Sequence, residues 1–174
     1  MCLTCGCSEP KRARRDLSFA DPGALQPDEI VLKAGEDALA YAETWIGWSG
    51  AAVMSFGNAW TPHKALRRIT DHFIDHLCQI EARVARVRPV PDEWRGRSVT
   101  LSTDWAPFSE QDLDEATARI RRLAQLSALR LQALRDEWDA DAGAEWTLRA
   151  IAQHLADATA TYASRPPATP IMPS

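Results

Sequence analysis

The chain has 174 residues and a formal net charge of -4, and its charged residues are interspersed. No basic face of the size that nucleic acid requires stands out. No apolar run is long enough to cross a bilayer, and the N-terminus lacks the apolar core of a signal peptide. We therefore expect one soluble, cytoplasmic domain with no nucleic-acid or membrane partner, and we leave open whether it forms a homodimer.

The first part of the chain predicts an arm followed by a helix. Residues 1–27 contain three cysteines, a basic run and several turn residues, which indicates an irregular arm. From Asp28 to about Ser49 the apolar residues recur at helical spacing. That stripe consists of Ala38, Tyr41, Trp45 and Trp48. The segment from Gly50 to Asn58 could extend this helix or break it.

A second helix is predicted in the stretch Trp60 to Ile80, WTPHKALRRITDHFIDHLCQI. Thr61 is a candidate N-cap, and Pro62 suits the first turn because its missing N–H is not needed there. A buried stripe is formed by Ile69, Phe73, Leu77 and Ile80. Prolines follow this stretch, so we expect the helix to end near Arg88.

Two further helices are predicted after a long connection, residues 89–108, whose Trp94 and Trp105 are candidates for lining a pocket. Ser109 and Asp112 form a capping box for a helix that runs to about Trp138. Its apolar face comprises Ile120, Leu123, Leu131, Leu134 and Trp138. The last helix has Thr147 as its N-cap and buries Leu148, Ile151, Leu155, Ala158 and Tyr162.

Four apolar stripes and the absence of an alternating strand pattern predict an all-α four-helix bundle over residues 28–164. The remaining residues, 165–174, are rich in proline and are predicted to be disordered.

Three of the four histidines fall on predicted inward faces. His72 and His76 lie one turn apart on the second helix, and His154 lies at the edge of the stripe on the last helix. Facing helices of a bundle often build metal sites from such side chains. Three neutral imidazoles leave an open coordination position, which is typical of catalytic zinc. The alternative is that each histidine is a hydrogen-bonded core residue. We expect His63, in the first helical turn, to be a surface residue.

A family resemblance strengthens the metal hypothesis. The pattern HxxxHxxQI, here His72 to Ile80, resembles the metal-binding helix of the DinB-like superfamily. The segment WTLRAIAQHLAD, here Trp146 to Asp157, resembles its other histidine-bearing helix. The resemblance implies a four-helix bundle that binds a divalent metal ion through His72, His76 and His154. Our first choice of metal is zinc or nickel. In the superfamily the single-histidine helix comes first, so this chain looks circularly permuted, or duplicated and trimmed.

The resemblance also implies a chemistry. Some members transfer or isomerise a small-molecule substrate with a low-molecular-weight thiol as co-substrate, and a bound metal would lower the pKa of that thiol. Asp71, Asp75 or Asp157 could orient a ligating histidine. We assign no catalytic residue from the sequence.

The cysteines allow a second function. Cys2, Cys5 and Cys7, in MCLTCGC, form a CxxCxC cluster that resembles the N-terminal nickel-binding motif of hydrogenase-maturation GTPases, although the chain has no GTPase P-loop. Three thiolates could hold zinc or nickel. The same spacing also fits a flexible arm with oxidisable thiols.

The alternatives to an enzyme are a non-catalytic metal-handling or sensing protein, which would use the CxxCxC cluster and the histidine site, and a bundle that only mediates protein contacts. Cys78 is predicted to be a buried hydrophobe.

Overall fold

The computed structural model describes residues 25–55, 57–90, 98–143 and 145–167. Within these ranges the chain forms four α-helices: α1 Pro27–Glu43, α2 Pro62–Val84, α3 Glu110–Ala133 and α4 Leu148–Ala163. A short antiparallel hairpin precedes α2 and consists of β1 Val53–Ser55 and β2 Asn58–Trp60. The predicted all-α four-helix arrangement is confirmed. Among the described residues no helix is long and apolar enough to span a membrane.

The three predicted N-caps are confirmed. The Thr61 hydroxyl accepts the backbone N–H of Lys64 at 3.2 Å, and Thr147 caps α4 in the same way. At the start of α3, the Ser109 hydroxyl accepts the N–H of Asp112 at 3.3 Å, while the Asp112 carboxylate accepts the N–H of Ser109 at 2.9 Å. Each cap satisfies a backbone donor that the first turn leaves without a helical partner.

The first predicted helix is shorter than expected. It ends at Glu43 rather than near Ser49, because the following backbone bonds to the segment before α3. The Gly47 N–H donates to the carbonyl of Phe108, and the Phe108 N–H donates to the carbonyl of Trp48, each at 2.9 Å. Gly47 adopts a φ of 81°, which the left-handed turn requires. The hairpin of two three-residue strands was not predicted. It separates α1 from α2.

The ends of the middle helices also differ from the prediction. The helix α2 ends at Val84, before the expected Arg88, and Arg86 has a positive φ of 56°. The helix α3 ends at Ala133, and a 3-10 helix, Arg135–Glu137, leads the chain to Trp138.

The four helices surround one core in the cyclic order α1, α3, α2, α4, because α1 packs against α3 and α4, and α2 packs against the same two helices. At the α1–α3 contact, a Cβ on Gly35 would lie 3.1 Å from the Cβ of Ala124, so the two backbones approach closely. The predicted stripe on α4 is buried along its whole length. The contact between α2 and α4 places the candidate site.

Candidate metal centre

The structure brings the three predicted histidines together at the contact between α2 and α4. His72 and His76 on α2 are buried, with 1 % and 7 % of their surface exposed, and His154 on α4 is half-buried. One ring nitrogen from each lies within 4.8 Å of the other two. His72 and His76 follow the buried face of α2 at a spacing of one turn, and His154 meets them from the neighbouring helix.

Two of the three separations within this cluster match those of a ligand set. The Nε2 atom of His72 lies 3.1 Å from Nε2 of His154 and 3.3 Å from Nε2 of His76. Zinc binds imidazole nitrogen at about 2.0–2.1 Å, so two ligands at tetrahedral corners lie about 3.3 Å apart. The three imidazoles could therefore accept a divalent cation with little rearrangement.

Hydrogen bonding alone explains this geometry poorly. A neutral imidazole nitrogen carries either one proton or one lone pair, never both. Nε2 of His72 faces two other Nε2 atoms, and one proton cannot form two linear hydrogen bonds at once. At least one pair of nitrogens then meets without a well-directed proton between them. A cation among the three nitrogens would accept all three lone pairs.

The local electrostatics keep His76 and His154 neutral. Burial, and to a smaller extent the nearby His76, lower the pKa of His154 to about 4. Burial also lowers the pKa of His76, while its hydrogen bond with Gln79 acts in the opposite direction. Desolvation disfavours the imidazolium, and repulsion between two imidazolium groups adds to that effect. At neutral pH both side chains are therefore in the form that can ligate a metal.

Gln79 orients His76, a role that the sequence reasoning did not assign. Its Oε1 lies 3.0 Å from Nδ1 of His76. Because an amide oxygen only accepts, Nδ1 carries the proton, and the lone pair is on Nε2, which faces the cluster. Of the aspartates proposed for this role, Asp157 accepts a hydrogen bond from Gln153 at 3.0 Å instead. The signal for Gln79 was present, since a residue three positions after His76 lies on the same helix face.

Replacing Gln79 with leucine should weaken metal binding roughly ten- to a hundredfold, because Nδ1 would lose its acceptor and the ring its fixed orientation. Gln79→Glu retains an acceptor and should keep the affinity close to that of the unmodified chain. Gln153→Leu is the matched control, since this glutamine pairs with Asp157 on the surface of α4. Titration with a competing chelator gives the three dissociation constants. Equal affinity in Gln79→Leu and the unmodified chain would exclude the orienting role.

Aromatic rings surround the cluster. The ring of Trp146 lies 4.5 Å from that of His154 and 6.3 Å from that of His76, measured between centroids. Tyr162 meets the His72 ring edge-on at 5.8 Å. The loop tryptophans had been the expected lining. Trp94 lies outside the described residues, and Trp105 is 43 % exposed.

The remaining sequence candidates lie apart from the cluster. His63 packs against Phe108 with its Nε2 atom 3.3 Å from the carbonyl of Pro107, so it is not a member of the histidine group. Cys78 is exposed, and the expectation of burial is wrong. It follows the buried His76 by two positions, which places it on nearly the opposite side of the helix. The predicted CxxCxC cluster, Cys2, Cys5 and Cys7, lies outside the described residues.

The fold and the site together define an all-α, four-helix protein with three histidines close enough to hold one metal ion. Comparison of the chain with protein-family models, with curated proteins and with solved structures finds no match.

Proposed function

We propose that the protein is a DinB-like metalloprotein that binds one divalent metal ion through Nε2 of His72, His76 and His154. One observation carries the proposal. Three nitrogens from two helices, with ligands as far apart as 82 residues, converge at separations of 3.1 and 3.3 Å. Neutral imidazoles and the orienting hydrogen bond of Gln79 support it.

The reversed order of the histidine-bearing helices is compatible with this proposal. The helices α2 and α4 are direct neighbours, and their side chains meet at His72 and His154. A site formed by contact between adjacent helices depends on their packing and not on which helix comes first in the chain. A circularly permuted DinB-like bundle would therefore keep its ligands.

We further propose that the site serves a thiol-dependent transferase or isomerase acting on a small molecule. Three protein ligands leave one coordination position of a bound divalent metal open. The metal would lower the pKa of a thiol co-substrate that binds at this position. The chain's own contribution is to present three imidazoles, to orient His76 through Gln79, and to shield the cluster with Trp146 and Tyr162.

Cobalt substitution tests the thiol proposal. In a full chain with Cys2→Ser, Cys5→Ser and Cys7→Ser, bound Co²⁺ would report its ligands in the visible and near-ultraviolet spectrum. Adding glutathione or cysteine should produce the charge-transfer absorption of a sulfur ligand. If the cobalt spectrum shows histidine coordination and does not respond to either thiol, the protein is better described by the alternative, a non-catalytic metal-handling or sensing protein.

A further inference from the structure

Arg68 is a buried cation without a complete set of partners. It lies on α2 one turn before His72, and 3 % of its surface is exposed. Its Nη2 donates to the hydroxyl of Tyr162 at 3.1 Å, and its guanidinium lies 5.1 Å from the centre of the Tyr162 ring. Its Nη1 is buried and has no hydrogen-bond partner. A buried charge with an unpaired N–H is strongly disfavoured unless something completes it.

The neighbouring arginine, Arg67, has the carboxylate partner that Arg68 lacks in the described part of the chain. Arg67 binds the carboxylate of Asp104 through two nitrogens, at 3.2 Å from Nε and 2.7 Å from Nη2. The Asp104 side chain is 4 % exposed, so this pair is largely shielded from water. Arg68 has no such carboxylate among the described residues, and its hydrogen-bond partner is a neutral phenol.

The surroundings of Arg68 are positively charged. The ring of Trp60 stacks on Tyr162 with centroids 5.6 Å apart, and the Arg165 guanidinium lies 4.2 Å from the centre of the Trp60 ring. Lys64 is fully buried beside the same ring, at 4.7 Å. The Trp60 Nε1 donor is also buried without a partner. Two unsatisfied donors therefore lie within one group of cations and stacked rings.

The pKa of Lys64 is consistent with positively charged surroundings. Its Nζ already has three acceptors, the carbonyls of Ala59 and Ser98 and the hydroxyl of Thr100, at 2.9 to 3.1 Å. Even so, the pKa of Lys64 is lowered to about 8. Burial is the largest cause, and the positive charges of Arg67, Arg165 and Arg68 lower the pKa as well. Asp104 opposes that shift without cancelling it. At Lys64 the effect of the arginine charges thus outweighs that of the Asp104 carboxylate.

We infer that Trp60, Arg68, Tyr162 and Arg165 form an anion site that binds the oxyanion group, carboxylate or phosphate, of a small ligand. An oxyanion on Arg68 Nη1 would form a charge-assisted hydrogen bond and neutralise the buried guanidinium. The anion site adjoins the histidine cluster, because Tyr162 contacts both Arg68 and His72. The inference does not require a metal, so it can fail or succeed independently of the proposed metal centre.

Titration of the full, metal-free chain with inorganic phosphate and with acetate, at constant ionic strength, tests the anion site. We expect saturable binding of at least one anion and roughly tenfold weaker binding in Arg68→Met. Arg67→Met is the matched control and should bind the anion as the unmodified chain does. Stronger binding of phosphate identifies a phosphorylated ligand, and stronger binding of acetate a carboxylate. Arg68→Lys is a second variant that retains the charge but not the paired N–H groups of the guanidinium, and it should also bind the anion more weakly than the unmodified chain.

Thermal unfolding without any added oxyanion separates a binding role from a structural one. Arg68→Met should raise the melting temperature, because it removes a buried charge with an unpaired N–H. Arg67→Met should lower it, because Asp104 would lose its partner. The inference is overturned if neither anion binds saturably, if Arg68→Met binds like the unmodified chain, or if Arg68→Met lowers the melting temperature as Arg67→Met does.

Discussion

Replacing His76 with alanine is expected to abolish tight metal binding. The variant should be made in the full chain carrying Cys2→Ser, Cys5→Ser and Cys7→Ser, so that thiolates do not contribute. Removing one of three ligands should weaken binding by roughly a hundredfold or more, since the total binding free energy of a zinc site is of order 10 kcal/mol shared among few ligands. Chelator competition and metal content after dialysis measure the loss.

The same helix provides the control. His63→Ala removes an identical side chain from α2, but His63 contacts Phe108 and Pro107 and lies outside the cluster. Its metal affinity should be that of the unmodified chain. His154→Ala should behave like His76→Ala, because it removes the ligand that α4 contributes. Equal metal content in all four proteins would show that the histidines are core residues and not metal ligands.

Acidification should destabilise the metal-free protein well before its carboxylates titrate. The folded-state pKa of His154 is about 4, whereas an unfolded histidine titrates near its ordinary value of 6.5. Between these values the unfolded chain binds more protons than the folded one, so the free energy of unfolding increases with pH across this window. The contribution of His154 is therefore fully present above pH 6.5 and is lost progressively as the pH falls toward 4.

The pH effect is measured by thermal unfolding of the metal-free chain at a series of pH values. His154→Ala is the control, because it removes one titrating group and keeps every carboxylate. The slope of the free energy of unfolding against pH should therefore decrease by the contribution of about one proton. Burial lowers the pKa of His76 as well, so part of the dependence should remain in that variant. Identical slopes in the two proteins between pH 4 and 6.5 would contradict the lowered pKa of His154.

Local patterns were sufficient to predict the helices that carry the site. Thr61 and Thr147 are visible N-caps, and the spacing of the apolar residues after them places His72, His76 and His154 on or beside buried faces. The early end of α1 was not predictable in this way, because it depends on backbone hydrogen bonds to Phe108, more than sixty positions away. The hairpin was missed because strands of three residues show no alternation that a pattern could detect.

The geometry of the site required the packed structure. Helical spacing places His72 beside His76, but only the contact between α2 and α4 decides that His154 comes within 3.1 Å of His72. Arg68 is a similar case. A cation in an amphipathic helix is expected at the surface, and its burial follows from its contact with Tyr162, 94 residues away. Sequence spacing thus indicated the ligands, whereas tertiary contacts define the distances and the buried charge.

Crystallography of the zinc-loaded chain, with anomalous data collected at the zinc edge, tests the metal centre most directly. We expect one strong anomalous peak between α2 and α4, at about 2.0–2.1 Å from Nε2 of His72, His76 and His154. Gln79 should still accept the N–H of His76. An anomalous map with no peak at the cluster, in crystals that hold zinc elsewhere, would contradict the three-histidine metal centre.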